Sequence, residues 1–166
     1  MTSIPRAGAS TTGIAQPCAS WPEFYAQRRL LPLVRRTRDA GTLDAATARA
    51  VEAVAARLPA LCGPAEPPAR LHGDLWGGNV MCDANGDPVL VDPAVYGGHR
   101  EIDLAMLRLF GGPGPRCFAA YDEAFPLAPG VADRVPLWQL YPLLIHVAMF
   151  GASWSAAVRR AADAMR

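Results

Sequence analysis

The chain has 166 residues, of which 51% are hydrophobic and 19% are charged, and its formal net charge is +1. This length is typical of one domain, which buries about 70% of the surface that its unfolded chain exposes. The composition is that of a globular protein, and the nearly neutral charge balance argues against a nucleic-acid-binding surface. All 16 basic residues are arginine. The sequence therefore excludes a P-loop lysine, a Schiff-base lysine and a kinase-type phosphate-binding lysine within this chain.

Cysteine usage and hydropathy bear on the compartment in which the chain works. The four cysteines are far apart in the sequence and form no C-x-x-C pair: Cys18, Cys62, Cys82 and Cys117. This pattern argues against a zinc site or a disulfide framework and predicts a reduced, cytoplasmic setting. No signal peptide is visible, and the longest apolar run, Leu137–Phe150, is too short to span a membrane.

The first predicted helix follows a polar tail. Residues 1–19 are rich in Ser, Thr, Gly, Ala and Pro without periodicity, which is typical of a loop or tail. Ser20 opens a capping box with Glu23, with a proline in the first turn, and this predicts a helix that Pro32 kinks or divides. The arginines at positions 28, 29, 35, 36 and 38 are interpreted as the solvated face of this helix.

The remaining residues to position 166 are predicted to be mostly helical and to form one folded lobe with the first helix. A second helix begins at Thr42 or Asp44 and continues to about Leu58, because apolar residues recur there near the helical period. A connector with three prolines follows over 62–69, and the stretch 93–100 is predicted to be irregular. Four later helices are predicted, with Asp103 and Asp133 as caps of the first and third: Leu104–Phe110, Arg116–Phe125, 134–150 and Trp154–Met165.

The stretch LHGDLWGGNVMCDANGDPVLVD, residues 71–92, carries the candidate site. Its glycine-rich loop leads into two apolar arms, 80–82 and 89–91, with Asn85-Gly86 between them. Asn-Gly between apolar runs predicts a β-hairpin with a type I′ turn, because both central residues of that turn need positive φ. The predicted fold class is therefore mainly α with one small antiparallel β-hairpin.

Three oxygen-bearing side chains meet at the open end of this hairpin if its arms pair in register. Asn79 and Asp92 then lie side by side, about 4.5–5.5 Å apart, which suits a hard cation such as Mg²⁺. Asp74, five residues before Asn79, is aimed at the same place. Each residue alone is more simply explained as a turn or strand-end residue. Together they favour phosphoryl transfer, with Asp74 as the base and the other two as metal ligands.

Four segments of the sequence carry a family resemblance: HGDLWGGN, VLVDPAVYGGHREIDLAMLRLFGG, FAAYDEAFPL and RVPLWQLYPLL. They closely resemble the fructosamine/ketosamine-3-kinase family, which belongs to the aminoglycoside-phosphotransferase-like and protein-kinase-like folds. The resemblance covers about Thr12 to Arg166. It implies that Asp74 is the catalytic aspartate and that Asn79 and Asp92 hold the metal. It also implies ATP-dependent phosphorylation of the 3-hydroxyl of ketosamines, which is a deglycation step.

The resemblance also implies that only part of that fold is present. The chain resembles the C-terminal lobe alone, because the sequence has no glycine-rich strand pair, no phosphate-binding lysine with its glutamate partner and no adenine hinge. Pro142 and Ile145 depart from the His and Asn that the family usually has in this helix. We therefore expect weak binding of Mg·ATP and negligible turnover by this chain alone. The surface that faces the missing lobe is expected to be partly apolar and to favour self-association.

Other candidate residues surround the three central side chains. Met81 and Val91 flank the metal residues on the hairpin and are predicted to form an apolar floor under adenine. Trp76 either stacks on the sugar of the acceptor or fills the core beside the loop. His72 is predicted to brace the loop through backbone hydrogen bonds, and Asp103 to brace it while capping its own helix.

The run after the second aspartate leaves two interpretations open. His99 and Glu101 either contact the substrate or are structural, with an ion pair to Arg100. Two other functions also stay open for the chain. One is a small-molecule kinase of the aminoglycoside or choline type, against which Trp76 and the run Tyr96–Glu101 argue. The other is a non-catalytic, kinase-derived module. The candidate substrate is a small-molecule or protein-bound ketosamine, and neither nucleic acid nor a membrane is indicated as a partner.

Overall fold

The structure is a computed structural model that describes residues 18–166, and it confirms a mainly α-helical fold. The N-terminal helix is divided, as predicted, into α1 (Trp21–Phe24) and α2 (Leu31–Asp39), with a π-helical segment, Tyr25–Leu30, between them. The Ser20 hydroxyl accepts the N–H of Glu23 at 3.3 Å and so caps α1. Pro32 lies in the first turn of α2, where its missing N–H interrupts the regular helical hydrogen bonds.

The other helices have the following bounds: α3 (Ala45–Ala56), α4 (Leu58–Leu61), α5 (Glu101–Leu109), α6 (Pro115–Ala124), α7 (Val131–Phe150) and α8 (Ser155–Asp163). The core forms where α7 packs against α2, α5 and α8, while α3 packs against α2 and α8. Val51 of α3, Leu144 of α7 and Val158 of α8 are fully buried there. Within residues 18–166 no helix is long and apolar enough to cross a membrane.

Two of the predicted helix caps are wrong. Asp44 caps α3 as predicted, with its carboxylate accepting the backbone N–H of Thr47 at 2.9 Å. Helix α5, however, begins at Glu101, so Asp103 lies in its first turn, where its carboxylate binds backbone groups of another segment. Helix α7 begins at Val131, because Gly130 adopts a left-handed conformation (φ 79°) and serves as the N-cap in place of Asp133.

Within residues 18–166 the β-structure consists of two antiparallel pairs, which corrects the prediction of a single hairpin. Strand β1 (Ala69–Leu71) pairs with β4 (Tyr96–Gly98), and β2 (Val80–Cys82) pairs with β3 (Pro88–Leu90). Strand β1 begins at the last residue of the predicted connector, and β4 lies in the stretch 93–100 that is predicted to be irregular. Strands of three residues give too short a run for an alternating pattern, and Gly97-Gly98 adds no side chain that would mark a strand.

The turn of the β2–β3 hairpin is also different from the predicted type I′ turn. Gly86 has a positive φ of 87°, but Asn85 does not have one. The Asp83 carboxylate accepts the backbone N–H groups of Asn85 at 2.8 Å and Asp87 at 2.9 Å. These hydrogen bonds stabilise a longer loop with glycine in the left-handed position, which is the other common hairpin connection.

The cysteines are consistent with the absence of a disulfide framework. All four lie in the described part of the chain and are free thiols, with Cys62 buried and Cys82 and Cys117 exposed. Burial raises the pKa of the Cys62 thiol to about 12, so this side chain is an inert part of the core. The cytoplasmic setting stays a prediction from the sequence.

Candidate active site

The loop between β1 and β2 brings Asp74 and Asn79 together. The side-chain amide of Asn79 donates to the backbone carbonyl of Asp74 at 2.9 Å and to its carboxylate oxygen Oδ2 at 3.2 Å. Asn79 is 7% exposed and ends the short 3₁₀ turn Gly77–Asn79, whereas Asp74 is half-buried. The glycine-rich turn thus holds a carboxylate and an amide side by side, as their spacing predicted.

Asp92 follows the residue that faces Asn79, so it is one residue away from its predicted register. The hairpin pairs Val80 with Leu90, and the N–H of Val91 donates to the carbonyl of Asn79 at 3.1 Å. Val91 therefore faces Asn79, and Asp92 is the next residue. Asp92 is exposed and has φ 53°, and no other non-glycine residue among 18–166 has a positive φ. A side chain held in this sparsely populated region is typical of a ligand-binding position.

His72 joins the loop that carries Asp74 to the end of the hairpin. Its Nδ1 accepts the backbone N–H of Asp74 at 3.3 Å, so Nε2 carries the proton and donates to the carbonyl of Val91 at 3.0 Å. The backbone carbonyl of His72 also accepts the N–H of Ala94 at 2.8 Å. These contacts agree with the predicted bracing role of His72, because they connect the segments on both sides of the site.

Asp103 braces the same loop from α5. Its carboxylate accepts the backbone N–H groups of His72 at 2.6 Å and of Gly73 at 3.0 Å. Burial raises the pKa of Asp103, and the two hydrogen bonds partly oppose that effect. The loop is therefore anchored on a rigid helix immediately before Asp74, which is what a precisely placed catalytic group requires.

The apolar candidates on the site are accessible. Trp76 is 40% exposed, and its ring covers Gly78 so closely that a side chain there would collide with it. This exposure favours the alternative in which Trp76 contacts a ligand, and both alternatives stay predictions. Met81 is 55% exposed and Val91 is half-buried, so both present apolar surface on the hairpin.

The structure does not bring His99 and Glu101 to this site. Glu101 is 2% exposed, and its oxygens accept from Arg134 at 2.6 and 2.9 Å and from the indole of Trp138 at 2.8 Å. His99 is buried and stacks on Trp138 with ring centroids 4.9 Å apart, and burial lowers its pKa. The suggested ion pair of Arg100 is also corrected, because its partner is Glu66 at 2.8 Å.

Arg29 is a feature that the sequence did not indicate. It was interpreted as part of a solvated face, but it is half-buried and lies within 4.6 Å of the ring centroid of Tyr96 and 5.0 Å of that of Tyr141. The ring of Tyr96 in turn approaches Gly73, since a Cβ on Gly73 would lie 3.0 Å from its Cε1. These residues are far apart in the sequence, so no local pattern signals their contact.

The donor chemistry of the site fits a hard divalent cation. In the described part of the chain there is no group of three or more His, Cys, Asp or Glu side chains that could hold a metal ion. The candidate ligands are instead one amide, that of Asn79, and one carboxylate, that of Asp92, with Asp74 as the candidate base. The amide nitrogen of Asn79 donates to Asp74, which leaves Oδ1 as the side-chain atom that can bind a cation. Carboxylate and amide oxygens with several waters form the coordination that Mg²⁺ prefers.

The conformation of Gly73 leads to a first prediction. Gly73 has φ 83°, and a Cβ on it would collide with the carbonyl oxygen of Ala94. Gly41 has φ 70° but no atom within 4 Å of the same position. Replacing Gly41 with alanine is expected to cost about 1–2 kcal/mol of unfolding free energy for the backbone conformation alone. Gly73→Ala is expected to exceed that cost by about 1–3 kcal/mol because of the collision.

Urea unfolding of both variants beside the unsubstituted chain measures this difference directly. Equal losses for Gly41→Ala and Gly73→Ala would contradict the close approach of Ala94 to the loop.

Known proteins are similar to this chain in sequence and in fold. The sequence model of the fructosamine kinase family matches residues 6–165. The chain is 38% identical over 140 residues to the ketosamine-3-kinase of Mus musculus, which covers 81% of this chain and 43% of the mouse protein. It is 36% identical over 158 residues to the chloroplastic protein-ribulosamine 3-kinase of Oryza sativa, which covers 93% of this chain and 45% of the rice protein.

A solved structure agrees with these relatives. A crystal structure from Thermobifida fusca YX-ER1, provisionally assigned as a fructosamine-3-kinase, superposes with a TM-score of 0.86 and 50% sequence identity. The match covers 90% of this chain and 52% of that one. The chain thus spans about half the length of the relatives that it matches.

Proposed function

This chain belongs to the fructosamine kinase family, and on that premise we propose that it carries the catalytic half of a ketosamine-3-kinase. The proposed reaction transfers the γ-phosphoryl group of ATP to the 3-hydroxyl of a ketosamine, either free or attached to a protein. The observation that carries the proposal is the hydrogen-bonded pair Asp74–Asn79 on a braced loop that leads directly into the β2–β3 hairpin.

Asp74 is the group that accepts the proton of the acceptor hydroxyl. The amide of Asn79 donates to Oδ2 of Asp74 and fixes the rotation of the carboxylate. The other oxygen, Oδ1, makes no hydrogen bond within the described residues and is therefore available to the hydroxyl. Orientation of the acceptor by a carboxylate in this way is the usual protein contribution to phosphoryl transfer.

Asn79 and Asp92 are the residues that would hold Mg²⁺, with Oδ1 of the amide and the carboxylate as ligands. When bound, the cation neutralises charge on the phosphate oxygens. Met81 and Val91 supply apolar surface for adenine on the hairpin that connects these two ligands. The exposed ring of Trp76 lies two residues after Asp74 on the same loop, and it is proposed to stack on the sugar of the acceptor.

We further propose that residues 20–166 correspond to the C-terminal lobe of a protein-kinase-like fold. The tail predicted over residues 1–19 lies, except for its last two residues, outside the described part of the chain. The match covers 52% of the Thermobifida fusca chain, which agrees with a single lobe of such a fold. The chain also contains no lysine, so it does not itself supply the phosphate-binding lysine of the lysine–glutamate pair that such folds use.

A chimera tests the proposed function. The chain replaces the matching half of the Thermobifida fusca protein, and phosphorylation of a ketosamine, an aminoglycoside and choline is measured with ATP beside the unaltered parent. We expect phosphorylation of the ketosamine, with little or none of the other two acceptors. Phosphorylation of choline or the aminoglycoside without the ketosamine, or an inactive chimera beside an active parent, would refute the assignment.

The chain by itself is expected to bind Mg·ATP with a dissociation constant well above the micromolar range and to turn over negligibly. The physical reason is that the hairpin offers only one surface to the nucleotide, so the other face of the adenine ring stays in water. Isothermal titration calorimetry measures the affinity, and Asp92→Asn is the matched variant that should weaken it further. Micromolar binding or normal ketosamine turnover by the chain alone would contradict this prediction.

Self-association is expected through the apolar surface of the hairpin and the segment after it. The exposed large side chains there are Met81, Val89, Leu90 and Val95. Patches of this kind on an otherwise soluble fold favour association. Light scattering should show a mass that rises with concentration, and the double substitution Met81→Ser with Leu90→Ser should reduce it. A mass of one chain at every concentration would contradict the prediction.

A further inference from the structure

Arg29 is held in an unusual backbone and side-chain environment. It lies inside the π-helical segment Tyr25–Leu30, and π-helical turns within α-helices occur frequently at functional sites. Its guanidinium is surrounded by the rings of Tyr96, Tyr141 and Phe24, with centroids at 4.6, 5.0 and 5.3 Å. The side chain is thus fixed in position by cation–π contacts and not by a carboxylate.

The charge of Arg29 is not neutralised within the described part of the chain. No acidic side chain there forms an ion pair with it, and its single hydrogen bond runs from Nη1 to the hydroxyl of Tyr141 at 3.0 Å. Its Nε is buried without a hydrogen-bond partner. An arginine carries five N–H donors in a planar fork that matches a carboxylate or phosphate. A half-buried guanidinium with most donors unused is a preformed position for an oxyanion.

The position of Arg29 favours a contact with the acceptor and not with the nucleotide. The ring of Tyr96 approaches both the guanidinium of Arg29 and Gly73, the residue before Asp74. Tyr96 belongs to the β1–β4 pair, whereas the surface proposed for adenine belongs to the β2–β3 hairpin. Arg29 and the residue before Asp74 thus approach the same aromatic ring, on the sheet that does not carry the surface proposed for adenine.

We propose that Arg29 is an oxyanion-binding residue of the acceptor site, and that it binds the carboxylate of ketosamines formed from amino acids. The inference rests on the proposed function and adds to it a preference within the substrate class. A ketosamine that bears a carboxylate would form charge-assisted hydrogen bonds with the guanidinium. A ketosamine of a simple amine would lack them.

Isothermal titration of the 166-residue chain with two probes tests the proposal. The probes are the ketosamines of glucose with glycine and of glucose with ethylamine, which differ in the carboxylate. We expect the glycine compound to bind about 10–100-fold more tightly, because a hydrogen bond between charged groups strengthens binding by this factor. Arg29→Gln should remove this ratio and Arg29→Lys should keep part of it. The control Arg49→Gln, at an exposed position of α3, should leave the ratio unchanged.

The outcomes separate this inference from the proposed function. Equal affinity of the unsubstituted chain for both probes would overturn the role of Arg29 and leave the ketosamine acceptor in place. Binding of neither probe would overturn the proposed acceptor and this inference with it. Tighter binding of inorganic phosphate than of the glycine compound would assign the position to phosphate and overturn the carboxylate. If Arg29→Gln does not fold, the ratio measured on the unsubstituted chain still decides.

Discussion

Replacing Asp74 with asparagine is expected to lower kcat for ketosamine phosphorylation by about 10²–10⁴-fold, which is the range for loss of a general base. The change is made in the chimera with the Thermobifida fusca half and is followed by a coupled ATP assay. The asparagine keeps an oxygen that can accept the amide of Asn79, so the contact that measures 3.2 Å in the structure is retained. It loses the basicity that takes the proton from the acceptor hydroxyl.

The expected loss is in kcat and not in the fold or in binding of the acceptor. Asp39→Asn is the matched control, because this aspartate is exposed at the end of α2 and has only a surface contact with Arg38 at 3.5 Å. The control should retain full activity, and circular dichroism of both variants should be unchanged. An Asp74→Asn chimera with kcat within a few-fold of the unsubstituted one would remove Asp74 from the role of base.

The contact between Asp74 and Asn79 was predictable from the sequence because its geometry is local. Asp74 and Asn79 are five residues apart across a glycine-rich turn, and such a turn has few ways to fold. The hairpin after them was also predicted, from two apolar arms. Its register was wrong by one residue, because the Asp83 carboxylate binds two backbone N–H groups and stabilises a longer loop than Asn85-Gly86 alone would form.

Contacts between distant segments could not be predicted in this way. Glu101 and Arg134 are 33 residues apart, and both look like surface residues in the sequence. Arg29 had the same appearance, since the pattern of arginines along its helix suggests a solvated face. Two of the three rings that surround it come from β4 and α7, and the π-helical segment that carries it has no sequence signal. The fold class was therefore predictable, whereas the environment of these charged residues depends on tertiary packing.

The buried ion pair of Glu101 and Arg134 gives the largest stability effect that we expect. Arg134 donates to both oxygens of Glu101, at 2.6 and 2.9 Å, and also to the carbonyls of Pro129 and Ala128 at 2.7 and 3.1 Å. Arg134→Met is expected to lower the free energy of unfolding by about 3–5 kcal/mol, because it leaves the carboxylate of Glu101 buried and unpaired. Urea unfolding of the 166-residue chain measures the loss.

A second substitution distinguishes an unpaired charge from a simple loss of packing. Adding Glu101→Gln to Arg134→Met removes the buried charge, while the amide oxygen still accepts the indole N–H of Trp138, which lies 2.8 Å from the carboxylate. The double variant is therefore expected to be more stable than Arg134→Met alone, although it carries one more substitution. Arg159→Met, which breaks an exposed pair with Asp163, should leave the unfolding free energy nearly unchanged. A double variant less stable than Arg134→Met would show that packing, and not the isolated charge, dominates at this position.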